Sequence, residues 1–166
     1  MKIFLFIIAL FVSMILQAGN ITNYIALGES YIKPDILLIL LVYLASTAEP
    51  VAAVILSFIL GLAADTIMLP LGPFMISYLL AGTVISNLKK MQLSDNAVFQ
   101  GVLVFLACIV VLSLSELLKF ITGHPISSHL LTRIFATSAY SAVLTPFVWF
   151  FFDKVREITG LKKKNR

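Results

Sequence analysis

The sequence predicts an all-α polytopic integral membrane protein, built as one bundle of about six transmembrane helices. Of its 166 residues, 60% are hydrophobic and only 12% are charged, and the mean hydropathy is +1.05. About a quarter of an average soluble domain is charged, so a surface this poor in charge would not stay in water. Six apolar stretches use most of the chain and leave no segment long enough for a separate soluble domain of about 50 residues.

The six helices follow from apolar runs separated by turn and capping residues. Together they form a single transmembrane domain over residues 1–152, and a basic tail follows at 153–166. The first helix could instead be a cleaved signal peptide, but only Lys2 precedes its apolar core and no Ala-x-Ala pattern follows, so a retained helix is preferred. The expected spans are about 2–18, 34–47, 48–66, 72–88, 97–120 and 128–152.

The second helix is short for a membrane span. Pro34 suits a first helical turn, and Asp35 complements the positive end of the helix dipole. Residues 34–47 rise only ~20 Å, against a hydrocarbon core of ~30 Å. This helix must therefore borrow flanking residues, thin the bilayer or pack against protein. Thr47 is expected to cap the third helix, which makes the second and third helices a tight hairpin.

An acid ends a face of small residues in the third helix. Ala53, Ser57 and Gly61 are spaced four residues apart, and Asp65 continues the same line. Residues at this spacing share one helix face. Small faces allow close helix approach, either within the bundle, which is the preferred interpretation, or against the transmembrane helix of a partner.

A turn separates the third helix from the fourth. Pro70, Gly72 and Pro73 end one helix and start the next. The fifth helix, 97–120, is the longest apolar run, and a turn at 122–125 separates it from the sixth.

The basic residues predict the orientation. With both termini in the cytoplasm, nine of the twelve Lys and Arg residues lie on that side. The other side keeps Lys33, Lys119 and Arg133. The positive-inside rule therefore places both termini in the cytoplasm. The basic tail is then an orientation signal that contacts anionic membrane lipids, and no nucleic-acid partner is expected.

Four charged side chains are expected at similar height near the outer boundary of the membrane: Asp35, Asp65, Glu116 and Arg133. An ionised group in the core costs about 2.5–3.5 kcal/mol on insertion scales, and less near the interface. Asp35 is expected at headgroup level, where it marks a helix end. For the other three, a headgroup position and a role inside the protein remain equal alternatives.

Glu116 and Arg133 are expected to pair because both lie about 30 Å from the inner ends of their helices. Exchanging their charges should then restore a function that either single reversal removes. Arg133 also begins a polar line, with Thr137, Ser141 and Thr145 at four-residue spacing. That line is not expected to face lipid.

No catalytic, metal or cofactor site is predicted. The chain has no His, Cys, Asp and Glu set at metal-ligand spacing, no phosphate-binding Gly loop and no Gly-x-Ser-x-Gly elbow. His124 and His129 flank a turn, and turn and capping roles are preferred there to a metal site. The single Cys108 is expected to be a small buried hydrophobe. The protein is therefore not expected to be an enzyme.

A series of short motifs runs through residues 33–82. These are Pro34-Asp35 before an apolar run, Gly61-Leu62-x-x-Asp65, Pro70-Leu71-Gly72 and Ser77-Tyr78-Leu79-x-x-Gly82. In this order they resemble the rod shape-determining protein MreD family. One departure is the loop 66–69, which is more apolar than the small polar residues expected there.

The resemblance implies a non-catalytic inner-membrane component of the bacterial cell-elongation machinery. MreD partners MreC, a single-span periplasmic protein, and works alongside MreB, RodA and a class B penicillin-binding protein. On this basis Asp65 and the small face of the third helix are expected to receive or position a partner helix. Leu at Ser57 or Gly61 should then weaken co-purification with MreC.

The alternative is the substrate-binding subunit of an energy-coupling-factor vitamin transporter, a small six-helix protein to which MreD is similar in architecture. Such a subunit needs an outward pocket rich in polar and aromatic groups and a small-residue coupling surface on its first helix. Residues 3–12 contain no Ala-x-x-x-Ala. A stand-alone ion carrier using Asp65 and Glu116 would need its acids nearer mid-membrane.

Overall fold

The computed structural model describes residues 2–18, 33–68, 72–88, 97–123 and 129–158, and within them it contains six α-helices and no strand. The prediction of an all-helical membrane bundle is confirmed. The third, fifth and sixth helices are long and apolar enough to cross a membrane, and the other three are shorter apolar helices. The six are α1 (Lys2–Ala18), α2 (Ile36–Thr47), α3 (Pro50–Met68), α4 (Pro73–Leu88), α5 (Ala97–Ile121) and α6 (Leu130–Ile158).

The short helix α2 lies at the centre of the bundle and packs against each of the other five helices. Every residue from Leu37 to Val42 is at most 1% exposed. A helix that is apolar on all sides is typical of such a position. Its 12 residues rise only ~18 Å. Of the three ways to accommodate a short helix, packing against protein is the one observed.

The other helices surround α2. Around it, α1 contacts α3, α3 contacts α4, α4 contacts α5, and α5 contacts α6. Their outward faces carry large exposed apolar side chains, as a surface in contact with lipid would. Examples are Phe11 on α1, Ile55 on α3, Leu80 on α4, Val110 on α5 and Phe147 on α6.

The boundary between α2 and α3 differs from the prediction. Thr47 is the last residue of α2, and its Oγ1 donates to the Tyr43 carbonyl oxygen at 2.8 Å. It does not cap α3, which begins at Pro50. The predicted N-cap position of Thr47 is therefore wrong: Glu49 directly precedes Pro50, and its carbonyl oxygen accepts from the Ala53 N–H at 2.8 Å.

Helix α6 continues past its predicted end at residue 152, as far as Ile158. Contacts with the end of α2 hold its last turns. The Tyr43 hydroxyl donates to Asp153 Oδ1 at 2.9 Å, and its ring lies 5.4 Å from the Trp149 and Phe152 rings. The first turns of the predicted tail are therefore helical.

The small face of α3 packs directly against α4. Ala53 and Ser57 are buried. A Cβ added at Gly61 would lie 2.6 Å from Met75 Cα, and one added at Gly82 would overlap the Ser57 side chain. Because α4 fills this face, the face packs within the bundle, which is the preferred interpretation of the sequence analysis. A partner could enter only by displacing α4.

Gly82→Ala should destabilise the protein. The added methyl group would overlap Ser57, and overpacking of this kind costs about 1–3 kcal/mol. Gly101→Ala is the matched control, since its Cβ would meet its nearest neighbour, the Ala142 carbonyl oxygen, at 3.4 Å. Thermal unfolding in one detergent should show a lower Tm for Gly82→Ala alone, with partial recovery when Ser57→Ala is added. Equal Tm values for the two Ala variants would contradict this packing.

Candidate functional site

The polar contacts of interest lie toward the end of the bundle where α1, α3 and α5 end and α2, α4 and α6 begin. We call this end the rim. Three of its features are built from the predicted residues: a carboxylate that caps α4, a buried cluster at the start of α2, and a charged group shared by α5 and α6.

Asp65, near the end of α3, caps the N-terminus of α4. Its Oδ1 accepts from the Phe74 backbone N–H, and its Oδ2 accepts from the N–H groups of Gly72 and Met75, each at 2.9 Å. The first N–H groups of a helix have no partner within that helix and favour negative charge. Asp65 is 0% exposed, so these three bonds also compensate its buried charge.

The residues at the start of α4 explain why the cap comes from another helix. Gly72 has no side chain with which to cap, and its φ of +117° is one that glycine adopts readily. Pro73 follows at the first helical position, where its missing N–H leaves no unpaired donor. Pro70 lies outside the described residues.

Asp35 forms the N-cap of α2 and is 2% exposed. Its Oδ1 accepts from the Leu38 N–H at 3.0 Å. The Tyr78 hydroxyl lies 3.2 Å from each of its carboxylate oxygens and donates to them. Asp35 marks the start of α2, as expected, and it is buried within the bundle because α2 starts among the other helices. Pro34, which precedes it, is buried as well.

Two further helices supply polar atoms to the start of α2. The Asp35 backbone N–H donates to Ser141 Oγ of α6 at 2.9 Å. The Ile36 N–H donates to Gln17 Oε1 of α1 at 3.0 Å. The N-terminus of the central helix is thus held by side chains from α1, α4 and α6 as well as by its own cap.

The third feature joins α5 to α6. Lys119 Nζ lies 2.9 Å from Glu116 Oε1, and Arg133 Nη2 lies 3.9 Å from the same oxygen. The Lys119 ammonium also sits 4.7 Å from the centroid of the Phe74 ring, within the range of a cation–π contact. The expected pair of Glu116 and Arg133 is therefore within ion-pair distance, but Lys119 is the closer partner of the acid.

These contacts divide the predicted charged residues into two groups. Asp65 is linked through Phe74 and Lys119 to Glu116 and from there to Arg133, so one continuous series of contacts crosses α3, α4, α5 and α6. The buried cluster of Asp35 is separate. It touches this series through the Tyr78 and Phe74 rings, whose centroids are 6.3 Å apart.

Sequence reasoning missed the roles of Gln17, Tyr78 and Lys119. Lys119 had a usable signal, since it follows Glu116 by three residues on one helix face. Tyr78 belongs to the motif Ser77-Tyr78-Leu79-x-x-Gly82, yet nothing in the motif indicates its partner. Gln17 lies near the end of the first helix, and nothing in the sequence indicates its partner.

The arrangement is suited to holding helix ends together. The oxygens of Asp65 accept three backbone N–H groups and those of Asp35 accept one backbone N–H and one hydroxyl, so both acids are engaged within the chain. Cys108 is buried. Among the described residues, no group of three or more His, Cys, Asp or Glu side chains could hold a metal ion.

An all-helical bundle in which three of the described helices are long and apolar enough to cross a membrane fits the class of helical membrane proteins. The family model for rod shape-determining protein MreD matches residues 1–157. The chain belongs to the MreD family, and the resemblance found in residues 33–82 is confirmed over almost the whole chain. Membership supports a role in determining rod shape. No curated protein and no solved structure matches the chain.

The two buried acids should respond differently to substitution by Asn. Asp65→Asn keeps one acceptor oxygen and turns an NH2 group toward backbone N–H groups, so it should cost about 2–4 kcal/mol. Asp35→Asn should cost less than about 1 kcal/mol, because Asn caps a helix about as well as Asp and its amide can donate to the Tyr78 oxygen.

Thermal unfolding of the two variants in the same detergent provides the measurement, with Asp35→Ala as the reference for a lost cap. A Tm for Asp35→Asn as low as that of Asp65→Asn would show that the charge of Asp35, and not its capping oxygen, stabilises the bundle.

Proposed function

We propose that this chain is a non-catalytic component of the bacterial cell-elongation machinery, in which it supports peptidoglycan synthesis through contacts with MreC. RodA, a class B penicillin-binding protein and MreB are proposed as further partners. The observation that carries this proposal is the family match over residues 1–157. It includes both halves of the chain and favours this role over that of a vitamin-transporter subunit.

The contacts of the buried acids fit a structural role. Asp35 and Asp65 bond to backbone N–H groups and to Tyr78, so they hold α2 and α4 in place. A frame fixed in this way can present constant outward surfaces to other membrane proteins. Since α4 fills the small face of α3, we propose that the transmembrane helix of MreC contacts one of the outward apolar faces.

We also propose an inner-membrane location with both termini in the cytoplasm. Nine of the twelve basic residues lie on the cytoplasmic side in that orientation, as the positive-inside rule requires. A green fluorescent protein fused after Arg166 should fluoresce. If that fusion does not fluoresce and an alkaline phosphatase fused at the same position is active, the C-terminus lies outside the cytoplasm and the proposed orientation is wrong.

Complementation tests the proposed function. Rod-shaped bacteria depleted of their own MreD should round up, and expression of this chain should restore rods. Asp35→Asn should also restore them because it keeps the helix cap, whereas Asp65→Asn should fail through reduced protein level. Cell width and the amount of membrane-inserted protein would be measured together. Wild-type chain that is fully inserted but leaves the cells round would contradict the proposal.

Affinity purification from those cells identifies the partners. The tagged chain should recover MreC and cell-wall synthases by mass spectrometry, and an unrelated six-helix membrane protein carrying the same tag should not. Recovery of a transport ATPase without any cell-wall protein would instead support the transporter alternative.

A further inference from the structure

Arg133 is the more loosely paired of the two cations beside Glu116. Glu116 Oε1 is approached by two cations, Lys119 at 2.9 Å and Arg133 at 3.9 Å. The side chains of Lys119 and Glu116 are only 14% and 13% exposed, whereas that of Arg133 is 52% exposed. Lys119 and Glu116 therefore form a nearly buried neutral pair, which leaves the guanidinium of Arg133 mostly outside it.

The hydrogen-bonding groups of Arg133 are also largely unused. A guanidinium has five N–H donors in a planar fork. In the part of the chain that the structure describes, the long contact with Glu116 is the one polar contact of this side chain. The fork matches the geometry of phosphate, with which Arg forms two parallel hydrogen bonds.

The surroundings of Arg133 indicate which kind of phosphate-bearing molecule would bind there. Arg133 lies in the first turn of α6, close to the end of α5, with lipid-facing apolar side chains on both helices. A charge at the rim above an apolar surface fits a molecule with an anionic head and an apolar tail. The exposed apolar side chains on the membrane side of Arg133 include Val110 on α5 and Phe135 and Val143 on α6.

We propose that Arg133 anchors the phosphate group of an anionic membrane lipid at the rim, with the acyl chains along the apolar faces of α5 and α6. Glu116 opposes this binding, because its carboxylate lies 3.9 Å from the same guanidinium and repels a phosphate. The two residues therefore have opposite effects on lipid retention.

Native mass spectrometry of the full-length protein tests the site. The protein is purified in detergent with equal amounts of phosphatidylglycerol and phosphatidylcholine, and the ratio of the two retained lipids is measured. Arg133→Gln should lower the preference for phosphatidylglycerol about fivefold, which corresponds to roughly 1 kcal/mol for one basic residue near anionic lipid. The lipid ratio of Arg133→Lys should fall between those of the wild type and Arg133→Gln, because Lys keeps the charge but lacks the planar fork of N–H donors.

Glu116→Gln should raise the same ratio, and Thr132→Gln, an uncharged exposed neighbour, should leave it unchanged. Thermal unfolding checks that each variant is folded. If Arg133→Gln does not fold, the lipid ratios of Arg133→Lys and Glu116→Gln test the proposal. An unchanged ratio in Arg133→Gln, or a lower ratio in Glu116→Gln, would overturn the proposal. Displacement of the lipid by inorganic phosphate would identify a free-anion site and would also overturn it.

Discussion

A helix that begins inside an apolar bundle has N–H groups that are largely shielded from water, and the fold depends on how these groups are satisfied. Helix α2 is in this position. Its first N–H groups donate to Ser141, to Gln17 and to Asp35. A buried polar group left unpaired in a protein costs about 1–3 kcal/mol. The central helix can therefore occupy its place only when α1 and α6 bring these side chains to its start.

The same constraint recurs at α4. Its first residues, Gly72 and Pro73, provide no capping side chain, and Asp65 of the preceding helix supplies the missing acceptor. Both buried acids are thus parts of helix ends, although charged residues at membrane depth usually suggest transport. This use of charge suits a membrane protein whose task is to hold a fixed shape for its partners, which is the role proposed for this member of the MreD family.

Composition and periodicity predicted the six helices, their approximate bounds and the small face of α3, because these depend on local patterns. The same patterns indicated that the second helix was too short to span a bilayer unaided. These patterns did not indicate that the second helix is central, since the sequence of an apolar helix is similar whether the helix faces lipid or protein. Nor could they identify Gln17 and Tyr78 as partners of the start of α2, because such contacts join residues far apart in sequence. Lys119 was overlooked although its spacing from Glu116 was informative.

Hydrogen–deuterium exchange of the backbone amides at the start of α2 tests this account most directly. In the full-length protein in lipid nanodiscs, Gln17→Leu should speed exchange at Ile36 by about fivefold, which corresponds to about 1 kcal/mol for one hydrogen bond. Ser141→Ala should have the same effect at Asp35. Tyr43→Phe, which removes a hydrogen bond at the opposite end of α2, should leave both amides unchanged. If exchange at Ile36 and Asp35 is as slow in the first two variants as in the wild type, the start of α2 is not held by its neighbours and the account is wrong.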